Sequence, residues 1–141
     1  MLYWESSALV ASLIAEKETN RVRLYSINTG DLRSYTAIIT PLEVESAIQR
    51  RLKEQSISSK LADKTRLSIT EFRQQAYLIV ADQNVLDIAL HIQKIYRLRV
   101  ADALQLASAR AGTENPSKVH FLCLDEKLNE AAKREGFKVP F

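Results

Sequence analysis

The chain has 141 residues, enough for one domain with a single hydrophobic core. Its three glycines and three prolines argue against an all-β fold with many tight turns and against a disordered chain. The net charge of +3 permits an anionic partner without requiring one. The lone cysteine, Cys123, excludes an intramolecular disulfide, and the apolar run at residues 8–15 is too short to span a membrane. We therefore expect a cytoplasmic protein that does not associate with membranes.

The first half of the chain predicts short strands that alternate with helices. Leu2–Trp4 has the length of a strand, and Ser6 and Ser7 favour the start of a helix that runs to about Glu18. Pro41 favours the first turn of a later helix, because the missing N–H of proline costs least there. The other predicted elements of this half are a polar helix at 19–26, a turn at 28–31, a buried strand at 36–39 and helices at 41–54 and 60–74.

The second half continues the same alternation. Strands are predicted at 77–80, 119–122 and 137–139, and Asp82 and Asp125 are predicted to cap helices at 83–97 and 126–135. The stretch at 99–110 is rich in alanine and leucine and predicts a helix with Asp102 in its first turn. Short strands alternating with helices predict a three-layer α/β fold with a mainly parallel central sheet. We expect residues 1–141 to form one such domain.

Four acids are expected at one edge of this sheet. Glu5 and Asp125 directly follow predicted strands, Glu43 lies one helical turn beyond another strand, and Asp102 opens a helix that reaches the same edge. Crowded carboxylates repel one another unless a cation offsets their charge. Oxygen ligands suit Mg²⁺ or Mn²⁺, and such an ion lowers the pKa of bound water and stabilises charge on a phosphodiester.

Each acid also has a purely structural explanation. Asp102 complements the helix dipole, and Thr40 and Glu43 match the capping-box pattern, in which the glutamate bonds back to the first residue. Asp125 is an acceptable helix cap, and Glu5 is a polar strand end. Both common glycine motifs that hold nucleotide phosphates are absent from the sequence, so the acids are its main chemical signal.

Four segments join these acids to patterns of small and apolar residues: YWESSAL, ITPLEVESAIQRR, LRVADALQLASA and VHFLCLDEKLNEAAKREGFKV. Together they resemble the motifs of the PIN-domain family, specifically the VapC-type toxins of bacterial and archaeal toxin–antitoxin pairs. The resemblance runs nearly from end to end, and its third segment is the most specific. It implies an endoribonuclease that hydrolyses RNA phosphodiesters, forms a homodimer and is inhibited by a cognate antitoxin.

The resemblance also assigns roles to residues. It implies that Glu5, Glu43, Asp102 and Asp125 are the catalytic, metal-binding quartet for Mg²⁺ or Mn²⁺. Ser7 matches a serine of the family and is a candidate for orienting a metal ligand, although capping of the first helix explains it equally well.

Two residues depart from the family pattern. Glu5 stands where the family normally has aspartate, and Cys123 stands where a serine or threonine often lies. The extra methylene of glutamate moves its carboxylate by about 1.5 Å, on the order of one C–C bond. The alternative function is therefore a catalytically weakened or inactive PIN-like module that binds RNA or protein. A nuclease directed at DNA is a further alternative.

Basic residues follow Glu43 on the same predicted helix. Arg50, Arg51 and Lys53 are candidates for holding an RNA backbone without reading its bases. The alternative is an ordinary solvated helix face, and the same region is also a candidate for contact with the antitoxin.

Overall fold

The computed structural model describes residues 1–30 and 33–141. Four strands in this part of the chain form one sheet, in the order β3-β2-β1-β4, and every pairing is parallel. The prediction of a parallel sheet is confirmed. The strands are β1 (Leu2–Trp4), β2 (Ser34–Ala37), β3 (Tyr77–Ile79) and β4 (His120–Leu122).

Helices connect and cover these strands. Across residues 1–30 and 33–141, no helix is long and apolar enough to cross a membrane. A short 3₁₀ turn at Pro116–Lys118 precedes β4. The helices are α1 (Ser6–Leu13), α2 (Thr19–Asn28), α3 (Thr40–Lys53), α4 (Ser59–Gln75), α5 (Gln83–Tyr96), α6 (Val100–Ala111) and α7 (Glu126–Arg134).

The helices lie in two layers because the side chains of β1 alternate between the faces of the sheet. Tyr3 packs with α5, α6 and α7, and its ring centroid lies 5.0 Å from that of Tyr35 and 5.1 Å from that of Phe121. Leu2 and Trp4 point the other way and pack with α1, α2, α3 and α4. The predicted three-layer α/β/α architecture is therefore confirmed.

The first helix is shorter than predicted. It ends at Leu13 rather than near Glu18. The hydroxyl of buried Thr19 lies 2.7 Å from the carbonyl oxygen of Ala11 and accepts the N–H of Glu16 at 2.8 Å. A threonine side chain thus satisfies backbone groups at the end of the helix, which hydrophobic spacing alone does not reveal.

Two predicted strands also differ from the structure. The strand expected at 36–39 lies at Ser34–Ala37, because Ile39 already precedes the first turn of α3. The strand expected at 137–139 is reduced to an isolated parallel bridge between His120 and Lys138. Neither difference changes the order of the sheet.

The turn predicted at 28–31 lies partly outside the described residues. Asn28 is the last residue of α2, and Gly30 has a φ of +65°. Glycine adopts this left-handed conformation without steric strain, so the predicted chain reversal has a local basis. Asp31 is not among the described residues.

Candidate active site

The carboxyl end of β1 leads directly into the first acid of the predicted quartet. Glu5 is only 5% exposed, and its carboxylate caps α1 by accepting the N–H of Ser7 at 2.9 Å. The hydroxyl of Ser6 donates to Oε1 at 2.5 Å, and the hydroxyl of Ser7 donates to Oε2. The helix begins at Ser6, as predicted, but capping does not explain Ser7, because Glu5 fills the cap position. Both serines instead hold the glutamate.

Ser7 also connects Glu5 with the end of the neighbouring strand. Its hydroxyl accepts the N–H of Leu124 at 2.9 Å, just beyond β4. The Sγ atom of Cys123 lies 3.9 Å from the same hydroxyl oxygen. Burial raises the pKa of the Cys123 thiol, so this residue is an inert part of the core.

Asp125 occupies the corresponding position after β4. Its Oδ1 atom accepts the N–H of Leu128 at 2.8 Å and so caps α7, as the sequence predicted. Because β4 pairs with β1, this cap lies at the same edge of the sheet as Glu5. Asp125 is half-buried and thus more open to solvent than Glu5.

Glu43 lies in the first turn of α3 but does not form the capping box that its sequence suggests. Ile39 precedes the helix without a side-chain cap, and Thr40 is already the first helical residue. The Thr40 hydroxyl accepts a hydrogen bond from Thr36 at 2.7 Å instead of capping the helix. The carboxylate of Glu43 accepts a hydrogen bond from Gln105 at 2.5 Å. The capping-box explanation of Glu43 is therefore wrong.

Gln105 on α6 is the site residue that the sequence analysis missed. Its side chain is completely buried, and its Nε2 donates to Glu43 and, at 2.9 Å, to the Thr40 hydroxyl. Its Oε1 accepts the hydroxyl of buried Tyr3 at 2.5 Å. An amide three residues after Asp102, on the same helix face and among apolar neighbours, was the available signal.

Asp102 lies in the first turn of α6, as predicted, and its side chain is 21% exposed. The Nε of Arg99 lies 3.5 Å from its carboxylate, but Arg99 is itself 85% exposed. Such an exposed ion pair contributes little free energy. Asp102 therefore retains a carboxylate that is not committed to a helix cap.

The electrostatics of Glu43 link three of these acids. Burial is the main cause that raises the pKa of Glu43, and the negative charges of Glu5 and Asp102 raise it further. Hydrogen bonds from Gln105 and Ser6 oppose this rise by favouring the charged form. The carboxylate of Glu43 is thus close enough to interact with those of Glu5 and Asp102, although the end of β1, α3 and α6 carry the three acids to the site separately.

The oxygen-rich donor set suits a hard divalent cation such as Mg²⁺ or Mn²⁺. Such a cation would offset the repulsion that raises the pKa of Glu43. In the described part of the chain, no three histidine, cysteine, aspartate or glutamate side chains form a ready-made metal-binding group. Hydrogen bonds from serine and glutamine side chains hold the carboxylates of Glu5 and Glu43.

A cleft of about 570 Å³ extends from this edge along α1 and α3. Ser6 and Ser7 line it on one side, and Glu43 lines it on the other. Two of the three predicted RNA contacts, Arg50 and Arg51, also line this cleft. The third, Lys53, is exposed on the last turn of α3. The cleft therefore runs from Glu43 to a basic end formed by Arg50 and Arg51.

The comparison with protein families agrees with this arrangement. The family model described as the PIN domain matches residues 2–134, which is nearly the whole chain. This chain belongs to the PIN domain family. PIN domains are generally nucleases that act on nucleic acids and typically use divalent metals. A search of curated proteins found no match to this PIN domain.

Within this PIN domain, the predicted quartet divides into two groups. Glu5, Glu43 and Asp102 interact through their charges, whereas Asp125 is held at the same sheet edge by its role as a helix cap. The sequence predicted that these acids lie at one edge of the sheet, and the structure places Glu5 and Asp125 after adjacent parallel strands at that edge. The sequence did not reveal that Gln105 joins the acids to the core.

Proposed function

We propose that this PIN domain is a divalent-metal-dependent endoribonuclease and that residues 1–141 act as one domain. The observation that carries the proposal is the convergence of Glu5, Glu43 and Asp102 at the carboxyl edge of the sheet, where their negative charges interact. Ligands of open parallel α/β sheets bind at this edge. The family match adds that nuclease chemistry is usual for this fold.

In this proposal, Glu5, Glu43 and Asp102 would hold Mg²⁺ or Mn²⁺, and Asp125 would complete the site from the end of β4. When bound, the ion supplies positive charge that stabilises a phosphodiester undergoing hydrolysis and lowers the pKa of attacking water. Ser7 holds the carboxylate of Glu5, and Gln105 holds that of Glu43. Residues that hold metal ligands in this way commonly affect metal affinity and activity.

The cleft supports a nucleic acid as the substrate. Arg50 and Arg51 lie on the face of α3 that also carries Glu43, so a bound backbone could contact both Glu43 and the arginines. Contacts of this kind hold phosphates without reading the sequence. We propose RNA rather than DNA because the four motif segments resemble those of ribonuclease toxins.

The same resemblance supports a cytoplasmic toxin of a type II toxin–antitoxin pair, inhibited by a cognate antitoxin and active as a homodimer. Leu86, Leu90 and Val100 are 45%, 57% and 68% exposed and line one groove between α5 and α6. An apolar surface of this kind is typical of protein–protein contacts. Light scattering of the purified chain tests the homodimer, which a mass of 16.0 kDa would contradict.

The deciding experiment is cleavage of a mixed RNA by protein purified free of any antitoxin, with Mg²⁺, Mn²⁺ or EDTA. We expect metal-dependent cleavage by the wild type. In Asp102→Asn the cleavage rate should fall by more than about 100-fold, because losing a metal ligand should cost more than losing a residue that merely holds a ligand in place. Asp87→Asn is the matched control, because Asp87 is an exposed acid on α5. Full activity of Asp102→Asn would contradict the assigned site. A DNA substrate of the same sequence tests the preference for RNA.

A binding module without catalysis is the second candidate function. It is favoured by the state of Glu5, whose two carboxylate oxygens are both engaged by Ser6 and Ser7. Glu5→Asp restores the residue usual in the family and distinguishes the two functions. Cleavage by Glu5→Asp but not by the wild type would mean that the extra methylene silences the site. RNA binding without cleavage by either protein would support the module.

A further inference from the structure

The basic end of the cleft, formed by Arg50 and Arg51, lies well away from Glu43. Arg50 and Arg51 follow Glu43 by two helical turns of α3, which corresponds to about 11 Å along the helix. Both arginines and Glu43 line the same cleft. A linear ligand lying along α3 would therefore meet Glu43 and the arginines at different points of its length.

Arg51 is already engaged at this end. Its Nη2 atom lies 2.5 Å from Oε2 of Glu16, and the two side chains are 20% and 30% exposed. Glu16 itself lines the cleft. A carboxylate and a phosphate oxygen make the same charge-assisted hydrogen bonds to a guanidinium group. Glu16 thus contacts Arg51 as a phosphate would.

The position of Glu16 is fixed by its backbone. Its N–H donates to the Thr19 hydroxyl at 2.8 Å, and its carbonyl accepts the N–H of Thr19 at 3.2 Å. Thr19 is buried and is the first residue of α2. The carboxylate therefore faces Arg51 from an anchored segment, whereas Arg50 beside it is exposed to solvent.

We propose that Arg50 and Arg51 form a phosphate subsite for single-stranded RNA, and that Glu16 occupies Arg51 until an RNA phosphate displaces it. This inference rests on the proposed function, because it takes RNA as the ligand of the cleft. The exchange is readily reversible, since partly exposed ion pairs contribute little free energy and their loss changes affinity by about two- to fivefold. The subsite places the RNA backbone along α3, with an upstream or downstream phosphate at the arginines and the cleaved phosphate at the acids.

A double-mutant cycle tests this exchange. Glu16→Gln and Arg51→Gln are made singly and together in the Asp102→Asn protein, so that RNA stays intact. Binding of a labelled single-stranded oligouridine of about ten nucleotides, a length that such sites accommodate, is measured at several salt concentrations. We expect Glu16→Gln to tighten binding about two- to fivefold, and to have little effect when Arg51→Gln is also present. Arg51→Gln should weaken binding and flatten the salt dependence by about 0.7 in log–log slope.

Glu18→Gln is the matched control. Glu18 lies two residues further along and pairs with Arg21 at 3.2 Å, with the same 30% exposure as Glu16. The Glu18→Gln substitution removes one negative charge from the same region but leaves the contact between Glu16 and Arg51 intact. Equal tightening by Glu18→Gln and Glu16→Gln would overturn the proposal, because it would indicate a general charge effect. So would an effect of Glu16→Gln that is unchanged by Arg51→Gln.

One further measurement and one further variant keep the outcome unambiguous. Thermal denaturation checks that each variant folds. If Arg51→Gln does not fold, Arg51→Lys replaces it. Lysine lacks the planar fork of arginine, so Arg51→Lys should reduce the effect of Glu16→Gln on RNA binding. Binding is measured without cleavage, so the two proposals can fail separately. Coupled binding with an inactive wild type would overturn only the nuclease assignment. Cleavage with uncoupled binding would overturn only the subsite.

Discussion

The acids at the sheet edge are held in two different ways. Glu5 and Asp125 follow adjacent strands and cap α1 and α7, so backbone N–H groups fix their carboxylates. Glu43 and Asp102 lie in the first turns of α3 and α6 without capping them. Glu43 is held by Gln105 from another helix. The comparison shows that local sequence is enough to position a capping carboxylate, whereas the position of a first-turn acid depends on how two helices pack.

The largest effect on activity is expected at Asp125, where a substitution can remove the negative charge but keep the helix cap. Asparagine caps a helix as well as aspartate does, so Asp125→Asn should retain stability. If Asp125 completes the metal site, the same change should lower kcat/KM for RNA cleavage by about 100-fold. Asp82→Asn is the control, because Asp82 caps α5 by accepting the N–H of Val85 at 2.9 Å. Undiminished activity of Asp125→Asn would leave Asp125 with the capping role alone.

The dependence of a first-turn acid on packing is tested at Gln105. Gln105→Leu leaves the buried groups of Tyr3 and Thr40 without this partner, and should lower the free energy of unfolding by about 1–3 kcal/mol. Urea denaturation at neutral pH measures the change. Gln49→Leu is a matched control on exposed α3 surface, where Gln49 bonds Glu45 at 2.6 Å, and we expect a change within about 0.5 kcal/mol. Equal effects of the two substitutions would contradict a structural role for the buried amide.

Removing a cap should have a smaller effect on stability. Asp125→Ala and Asp82→Ala each leave one helix N–H without its side-chain acceptor, and each should lower the free energy of unfolding by about 1 kcal/mol. Thermal and urea denaturation compare the alanine and asparagine variants at each position. A loss in the asparagine variants as large as that in the alanine variants would show that something other than capping holds these residues.

The smallest effect is expected for two glutamates of α3, Glu43 and Glu45, whose replacement by glutamine should shift Tm in opposite directions. The raised pKa of Glu43 means that folding disfavours its charged form. The favourable contribution of Glu43 to the free energy of unfolding is therefore present below the ordinary pKa of 4.5 and is lost as pH rises. Glu43→Gln should therefore raise Tm at neutral pH in EDTA, with a difference that shrinks toward acid pH. Hydrogen bonds from Arg66 lower the pKa of Glu45, so Glu45→Gln should slightly lower Tm at neutral pH and lose this effect as pH falls. Shifts of the same sign would contradict the comparison.

Local features of this chain could be predicted from its sequence. The caps at Asp82 and Asp125 depend on a side chain and an N–H three residues later, and both form as predicted. The parallel sheet followed from the alternation of strands and helices. Contacts between distant elements could not be predicted in this way. Gln105 contacts Glu43 only because α6 and α3 approach the same edge of the sheet. The Thr19 hydroxyl, which lies outside α1, bonds the carbonyl oxygen of Ala11 near the end of that helix.

The order of the strands also determines when the sheet can be completed during synthesis of the chain. β1 lies inside the sheet, and its register with β4 pairs Leu2 with His120. The N-terminal strand therefore waits for its second neighbour until most of the chain has left the ribosome. The hydrogen bond from Leu124 to Ser7, which links the support of Glu5 to the Asp125 cap, forms only then. A nascent chain carries Glu5, Glu43 and Asp102 before it carries the strand that closes their edge, so translation itself delays the assembly of the complete acidic site.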